Sequence, residues 1–115
     1  MIKAIIFDLD GVLVSERSSW EWVHHHLGVD NEEGYRLFMD GKIDDIEFMK
    51  RDVEQWHSVD PYIKIQRIEN ILMKARLTPG IVETIRILKD RGSSIGIISG
   101  GIDILADHVG KLCDV

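Results

Sequence analysis

The sequence predicts an α/β fold, a short parallel sheet with an α-helical cap inserted after its first strand. Three observations predict it. Ala4-Ile5-Ile6-Phe7 is a near-continuous apolar run, the pattern of a parallel strand covered on both faces. Ser94 to Ser99 is a second such run toward the other end of the chain. Between the two lie helical patterns only, and without the inserted ones the order is strand, helix, strand, a right-handed βαβ crossover. That crossover seeds an open, Rossmann-like sheet, here a partial one. The assignment is residues 1–15 and 78–115 to the α/β core and residues 16–77 to the helical cap.

The elements follow in order. The first strand runs from Lys3 to Asp8, and Leu9 to Ser15 is irregular with Gly11 as the breaker. Ser18 with Glu21 forms a capping-box pattern. Trp20, Val23 and Leu27 then line one helical face until Gly28 ends it. Asp30 with Glu33 opens a second helix carrying Tyr35, Phe38 and Met39 and closed by Gly41. Asp44 with Glu47 opens a third, striped by Ile46, Met49, Val53 and Trp56. Asp60-Pro61 reads as an N-cap with proline at the first helical position, followed by Ile65, Ile68, Ile71, Leu72 and Ala75. Thr78-Pro79-Gly80 ends the cap. A helix from about Ile81 to Arg91 follows, with Gly92 as its left-handed cap. After the second strand, Ile102, Leu105, Ala106, Val109 and Leu112 begin the last helix.

Composition narrows the function classes. The chain has 115 residues, 44% hydrophobic and 30% charged, which suits one modest core. The formal net charge is −6 and no basic run exceeds two residues, which argues against a nucleic-acid groove. The lone Cys113 leaves no internal disulfide framework and fits a reducing cytoplasm. Asp8 and Asp10 interrupt the first apolar run, so it reads as neither signal peptide nor membrane span.

Chemistry concentrates at the strand ends. Asp8 and Asp10 leave a buried strand together, and carboxylates there are costly unless compensated, most simply by a hard divalent cation. In open parallel sheets the ligand crevice lies beyond the carboxyl ends of the strands, so Asp8 and Ser99 are expected side by side on that rim. Gly100 and Gly101 follow with backbone N–H groups expected to be free for an anion. Asp8 would attack phosphorus once magnesium screens the repulsion between the anions. Asp10 would protonate the leaving alcohol and later deprotonate the attacking water. Taken singly, Asp-x-Asp is a common pair and Ser-Gly-Gly an ordinary turn; their joint occurrence at the ends of both strands makes the case.

These residues also carry a family resemblance. Phe7-Asp8-Leu9-Asp10-Gly11-Val12-Leu13 resembles the first motif of the haloacid dehalogenase superfamily of phosphohydrolases, and Ile97-Ile98-Ser99-Gly100-Gly101 its second. The insert resembles that superfamily's small cap. Pro79-Gly80-Ile81-Val82-Glu83-Thr84-Ile85 and Leu88-Lys89-Asp90-Arg91-Gly92 are similar to the phosphoserine phosphatase branch. The resemblance implies Asp8 as nucleophile and magnesium ligand, and Asp10 as acid/base that binds the metal through its carbonyl. It implies Ser99 and Gly100 as phosphate-binding residues, a small phosphorylated metabolite as substrate, and a cap that closes over the leaving group.

Two departures qualify that expectation. The family's third motif (a lysine) and fourth (an acidic pair) have no counterpart before Val115, and Lys111 falls inside the last helix. The chain reads as truncated, and its turnover is expected to be feeble or absent. Arg17 stands where the phosphoserine branch has a substrate-gripping glutamate, with Glu16 and Glu21 nearby, and the carboxylate-gripping arginine falls near Arg51 or Asp52. Specificity for phosphoserine is therefore not expected. Two strands leave both sheet edges open, so either the chain is part of a longer product or, if it truly ends at Val115, a homo-oligomer is expected. The rival readings are a non-catalytic remnant kept for association and a phosphomutase of the same superfamily.

Other features have plainer explanations. Three successive residues on a helix fan out at about 100° steps, so His24-His25-His26 cannot converge on one ion; one of them facing the cap interior or the substrate is the better reading. Trp20, Trp22 and Trp56 read as cap core, and the cap acids as solvated faces and N-caps. Asp103 suits a helix N-terminus, and neither it nor Asp107 reads as a metal ligand.

Overall fold

A computed structural model describes residues 2–115. The order is β1 (Ala4–Phe7), α1 (Ser19–Leu27), α2 (Glu32–Met39), α3 (Asp45–Val59), α4 (Ile65–Leu72), α5 (Ile81–Asp90), β2 (Ser94–Ile97) and α6 (Asp103–Leu112). The strands pair in parallel, from Ala4 opposite Ser94 to Phe7 opposite Ile97. Both are shorter than the sequence suggests. Asp8 and Ser99 lie just beyond their ends rather than as their last residues, on the same rim of the pair.

Local signals explain most helix starts. The Ser18 hydroxyl accepts from Glu21 N at 3.2 Å and the Asp44 carboxylate from Glu47 N at 2.8 Å, each satisfying one orphan donor of a first turn. Gly92 has φ +92°, the left-handed conformation expected after α5. Two helix starts differ from expectation. Asn31, not Asp30, precedes α2, while the Asp30 carboxylate accepts from Glu32 N at 3.1 Å. Asp60-Pro61 does not open α4, which starts only after Lys64. Asp60 instead terminates α3, accepts from Tyr62 N at 3.2 Å and pairs with Arg67 at 2.7 Å. Its side chain is committed to a turn and an ion pair, so it cannot cap.

One buried cluster joins the two ends of the chain to the insert. Leu9, Leu13 and Val14 from the loop after β1 meet Val23 of α1, Leu72 of α4, Ile85 of α5 and Leu105 and Val109 of α6. Thr78 N donates to Leu13 O at 2.8 Å and Ser15 N to Arg76 O at 2.9 Å, so the entrance and exit of the insert lie together. The chain is elongated, 47 × 31 × 19 Å. Its radius of gyration is 16.0 Å, against about 13 Å for a compact domain of this length. The strands are not covered on both faces as their apolar runs suggest: Ile6 is 57% exposed and Ile98, just past β2, is 72% exposed. No further strand pairs with either edge among the described residues. None of the described helices is long and apolar enough to cross a membrane.

Candidate active site

The loop after β1 owes its shape to one carbonyl and one glycine. Leu9 O accepts from Val12 N, Leu13 N and Val14 N at 3.0–3.2 Å, which curls the chain back and buries Leu9, Leu13 and Val14 completely. Gly11 adopts φ +73° and its N–H donates to Glu16 O at 2.7 Å, a conformation that costs other residues strain. The curl leaves Asp8 exposed at the rim, with Oδ1 accepting from Leu9 N at 2.6 Å. Asp10 turns inward.

Asp10 is the best-anchored acid of the site. Its Oδ2 accepts from Ser19 N at 2.9 Å and from Ser19 Oγ at 3.1 Å. The same Ser19 hydroxyl oxygen accepts from Ile102 N at 2.9 Å, so a fully buried serine bridges the acidic loop to the segment after β2. Asp10 Oδ1 is buried with no hydrogen-bond partner. Burial pushes the Asp10 carboxyl above its usual range, the Ser19 bonds pull it back in part, and the charge of Asp8 raises it further. Ser19 was not foreseen from the sequence, where it reads as the residue after an N-cap.

Ser99 and the glycines stand against this acid. A Cβ at Gly101 would lie 2.7 Å from Asp10 Oδ2, so this close approach requires glycine. The expectation that both glycine N–H groups are free is corrected: Gly101 N donates to Ser99 Oγ at 2.9 Å. That bond leaves the Ser99 hydroxyl its own proton to donate. Gly100 N has no hydrogen-bond partner among the described residues, and Gly100 O accepts from Trp20 Nε1 at 3.3 Å. Asp8, Asp10, Ser99 and Gly100 thus share one end of the strand pair. Lys111 lines a different cleft with Ile97 and Ala106.

A second layer lies behind Trp20. Its ring stacks on Trp56 at 5.6 Å, and Trp56 Nε1 donates to His24 Nδ1 at 2.7 Å. Because Nδ1 accepts, the ring proton sits on Nε2, which faces Asp52 Oδ1 at 3.2 Å without hydrogen-bond geometry. His24 is therefore the inward member of the histidine run. His25 is exposed, and His26 packs on Trp22 at 4.4 Å. Asp52 is 3% exposed and corrects the reading of every cap acid as a solvated face or N-cap. Its signal was present: it stands three residues after Met49 and four before Trp56, inside the apolar stripe of α3. Trp20 also lines an open cleft of about 610 Å³ together with Ser99, Gly100 and Gly101, besides its part in the core.

Among the described residues no group of three or more His, Cys, Asp or Glu side chains is arranged to hold a metal ion. A family model for haloacid dehalogenase-like hydrolases matches residues 2–115. Phosphoserine phosphatase of Methanocaldococcus jannaschii is 29% identical over 109 residues, 93% of this chain and 49% of the relative. A probable phosphoserine phosphatase of Schizosaccharomyces pombe is 28% identical over 109 residues, 93% of this chain and 35% of the relative. A solved structure of a phospho-aspartyl intermediate analogue of phosphoserine phosphatase superimposes with a TM-score of 0.74 at 26% identity, covering 99% of this chain and 53% of that one. The chain thus spans about half, or less, of the length of the relatives it matches.

Proposed function

The chain belongs to the haloacid dehalogenase-like hydrolases, and from that premise we propose that it hydrolyses a small phosphomonoester through a phospho-aspartate at Asp8. One observation carries the reading: a half-buried Asp10, its carboxyl raised by burial, is gripped by Ser19 beside an exposed Asp8 and touches the Ser99-Gly100-Gly101 turn. An exposed carboxylate beside a raised one divides the work between nucleophile and acid.

An Asp8 oxygen forms a bond to phosphorus as the bond from phosphorus to the alcohol oxygen breaks. Asp10 gives that oxygen its proton. Asp10 then takes a proton from water, whose oxygen attacks the same phosphorus and returns Asp8 and inorganic phosphate. The Ser99 hydroxyl and the Gly100 N–H serve as donors to the phosphoryl oxygens. The donor set fits magnesium: the Asp8 carboxylate and the Asp10 carbonyl, which accepts no hydrogen bond among the described residues, offer hard oxygens. Bound by these two residues, the ion would screen the charge repulsion between Asp8 and the phosphate. No lysine or arginine lines the cleft at the Ser99 turn among the described residues, so turnover is expected to be slow. One such electrostatic contact is worth about 10²–10³-fold in rate.

The test is phosphate release from an aryl phosphate, with mass spectrometry of the acid-quenched protein. We expect magnesium-dependent release and an acyl-phosphate on Asp8, both lost in Asp8→Asn. Release that persists in Asp8→Asn, or in excess chelator, removes the proposal.

A further inference from the structure

Part of the Ser99 turn is held from outside it. Resting on the phosphatase reading of the same site, we infer that Trp20 is a positioning residue for the phosphoryl group: its indole N–H fixes the one peptide that aims the Ser99 hydroxyl.

The bonds at the two ends of that peptide carry the inference. Gly100 O and Gly101 N belong to a single peptide unit, and both are occupied. Trp20 Nε1 donates to Gly100 O at 3.3 Å, and Gly101 N donates to Ser99 Oγ at 2.9 Å. The donors therefore run in one sense, from the indole through the peptide N–H to the Ser99 hydroxyl, whose own proton is left for a ligand. Hydrogen bonds aligned in this way polarise one another, so the donor at the start of the chain strengthens the donor at its end. A peptide turned over would point its carbonyl oxygen where its N–H now points. The Ser99 hydroxyl would then give its proton to Gly100 O, and the phosphoryl group would lose a donor.

The turn does not hold that plane by itself. A Cβ at Gly100 would meet nothing within 4 Å, so no packing against the rest of the chain fixes the peptide there, and glycine backbone turns readily. Trp20, by contrast, is steadied from behind. Its ring stacks on Trp56 at 5.6 Å with 23° between the planes, and Trp56 Nε1 donates to the buried His24 Nδ1 at 2.7 Å. Trp22 supplies the internal comparison. Its N–H donates to Ile71 O at 3.0 Å, a bond that ties α1 to α4 and does not reach the turn. Of the three tryptophans, only Trp20 gives its N–H to the Ser99 turn.

The test uses the isotopically labelled chain in magnesium buffer, titrated with inorganic phosphate and followed through its backbone amide and tryptophan indole signals by NMR. In the parent protein the Gly100 amide and the Trp20 indole N–H should both shift, while the Trp22 indole stays in place. Trp20→Phe keeps an aromatic ring against Trp56 without the N–H donor. It should weaken phosphate binding about 3–10-fold, the net value of one neutral hydrogen bond. Trp22→Phe loses an indole hydrogen bond of the same kind elsewhere and should leave the affinity near that of the parent. Three results overturn the inference: Trp20→Phe binding phosphate as tightly as the parent, equal losses in the two variants, or a Trp20 indole signal in the parent that phosphate does not move. Each leaves the phosphatase reading standing when the Gly100 amide of the parent responds. A Gly100 amide that phosphate does not move removes both.

Discussion

Replacing Gly101 by alanine probes the contact on which the site depends. The added Cβ would stand 2.7 Å from Asp10 Oδ2, 2.9 Å from Ser19 Oγ and 3.1 Å from Asp10 Cγ. Ordinary contact begins near 3.4 Å, so the methyl is about 0.7 Å too close to the carboxylate oxygen and about 0.5 Å too close to the hydroxyl. Neither atom is the loose tip of a long side chain. Asp10 Oδ2 is held by two bonds from Ser19, and Ser19 Oγ by Ile102 N at 2.9 Å. Overpacking alone costs about 1–3 kcal/mol, and losing a hydrogen bond to a charged group about 1.5–3 kcal/mol. Gly101→Ala should therefore lose about 2.5–6 kcal/mol, or about 10–24 °C at roughly 4 °C per kcal/mol for a chain of this size. Urea and thermal unfolding followed by circular dichroism, in chelator, measure it. Ser19→Ala alone should cost about 1–3 kcal/mol by orphaning Ile102 N–H. It also removes one of the three atoms the methyl meets, so the double variant should be less destabilised than the sum by at least about 0.5 kcal/mol. Additive losses, or a Gly101→Ala protein as stable as the parent, would refute the geometry.

Three further outcomes are expected. Because the folded-state pKa of Asp10 is raised, its contribution to stability is complete below the unfolded carboxylate value and is lost as pH rises through the folded one. The melting temperature of Asp10→Asn minus that of the parent should then grow with pH across that window in chelator, and a flat or shrinking difference contradicts it. His24→Leu strands Trp56 Nε1–H and Asp52 in the core and should cost about 2–5 kcal/mol in urea unfolding. Exposed His25→Leu should stay within about 0.5 kcal/mol of the parent; equal effects would mean the histidine is not part of the core. Both strand edges are unpaired among the described residues, with Ile6 and Ile98 exposed, so the chain should self-associate; a 13.2 kDa monomer at high concentration in sedimentation would count against it.

What could be read from the sequence was what is local. Ser18 with Glu21 and Asp44 with Glu47 behave as their spacing suggests, because an N-cap needs only its own first turn. The parallel strands and their shared rim follow from two apolar runs and a crossover of normal hand. Asp60-Pro61 misleads because the same carboxylate had a nearer use, closing a turn and pairing with Arg67. Ser19 was invisible for a different reason. Its role arises only when residues 10, 19 and 102 meet, and no spacing along the chain encodes that meeting. The strand faces failed because apolar content reports what a strand can bury, not what the described residues supply to cover it.

The tolerance of so many acids at one rim also has a structural cause. Among the described residues Asp10 meets no lysine or arginine; its hydrogen bonds come from Ser19, the first residue of α1, and Ser19 in turn receives the N–H of Ile102, the N-cap of α6. Two helix N-termini therefore converge on one carboxylate. Each brings orphan N–H groups and a partial positive charge, worth about 0.3–1 kcal/mol to a nearby anion. That is enough to orient Asp10 but not to overcome its burial, and the carboxyl stays raised. A guanidinium in the same position would hold the pKa down by about 1–3 units and leave a permanent anion. Helix ends thus secure the geometry while leaving the proton on Asp10 labile, the condition the proposed acid and base steps require.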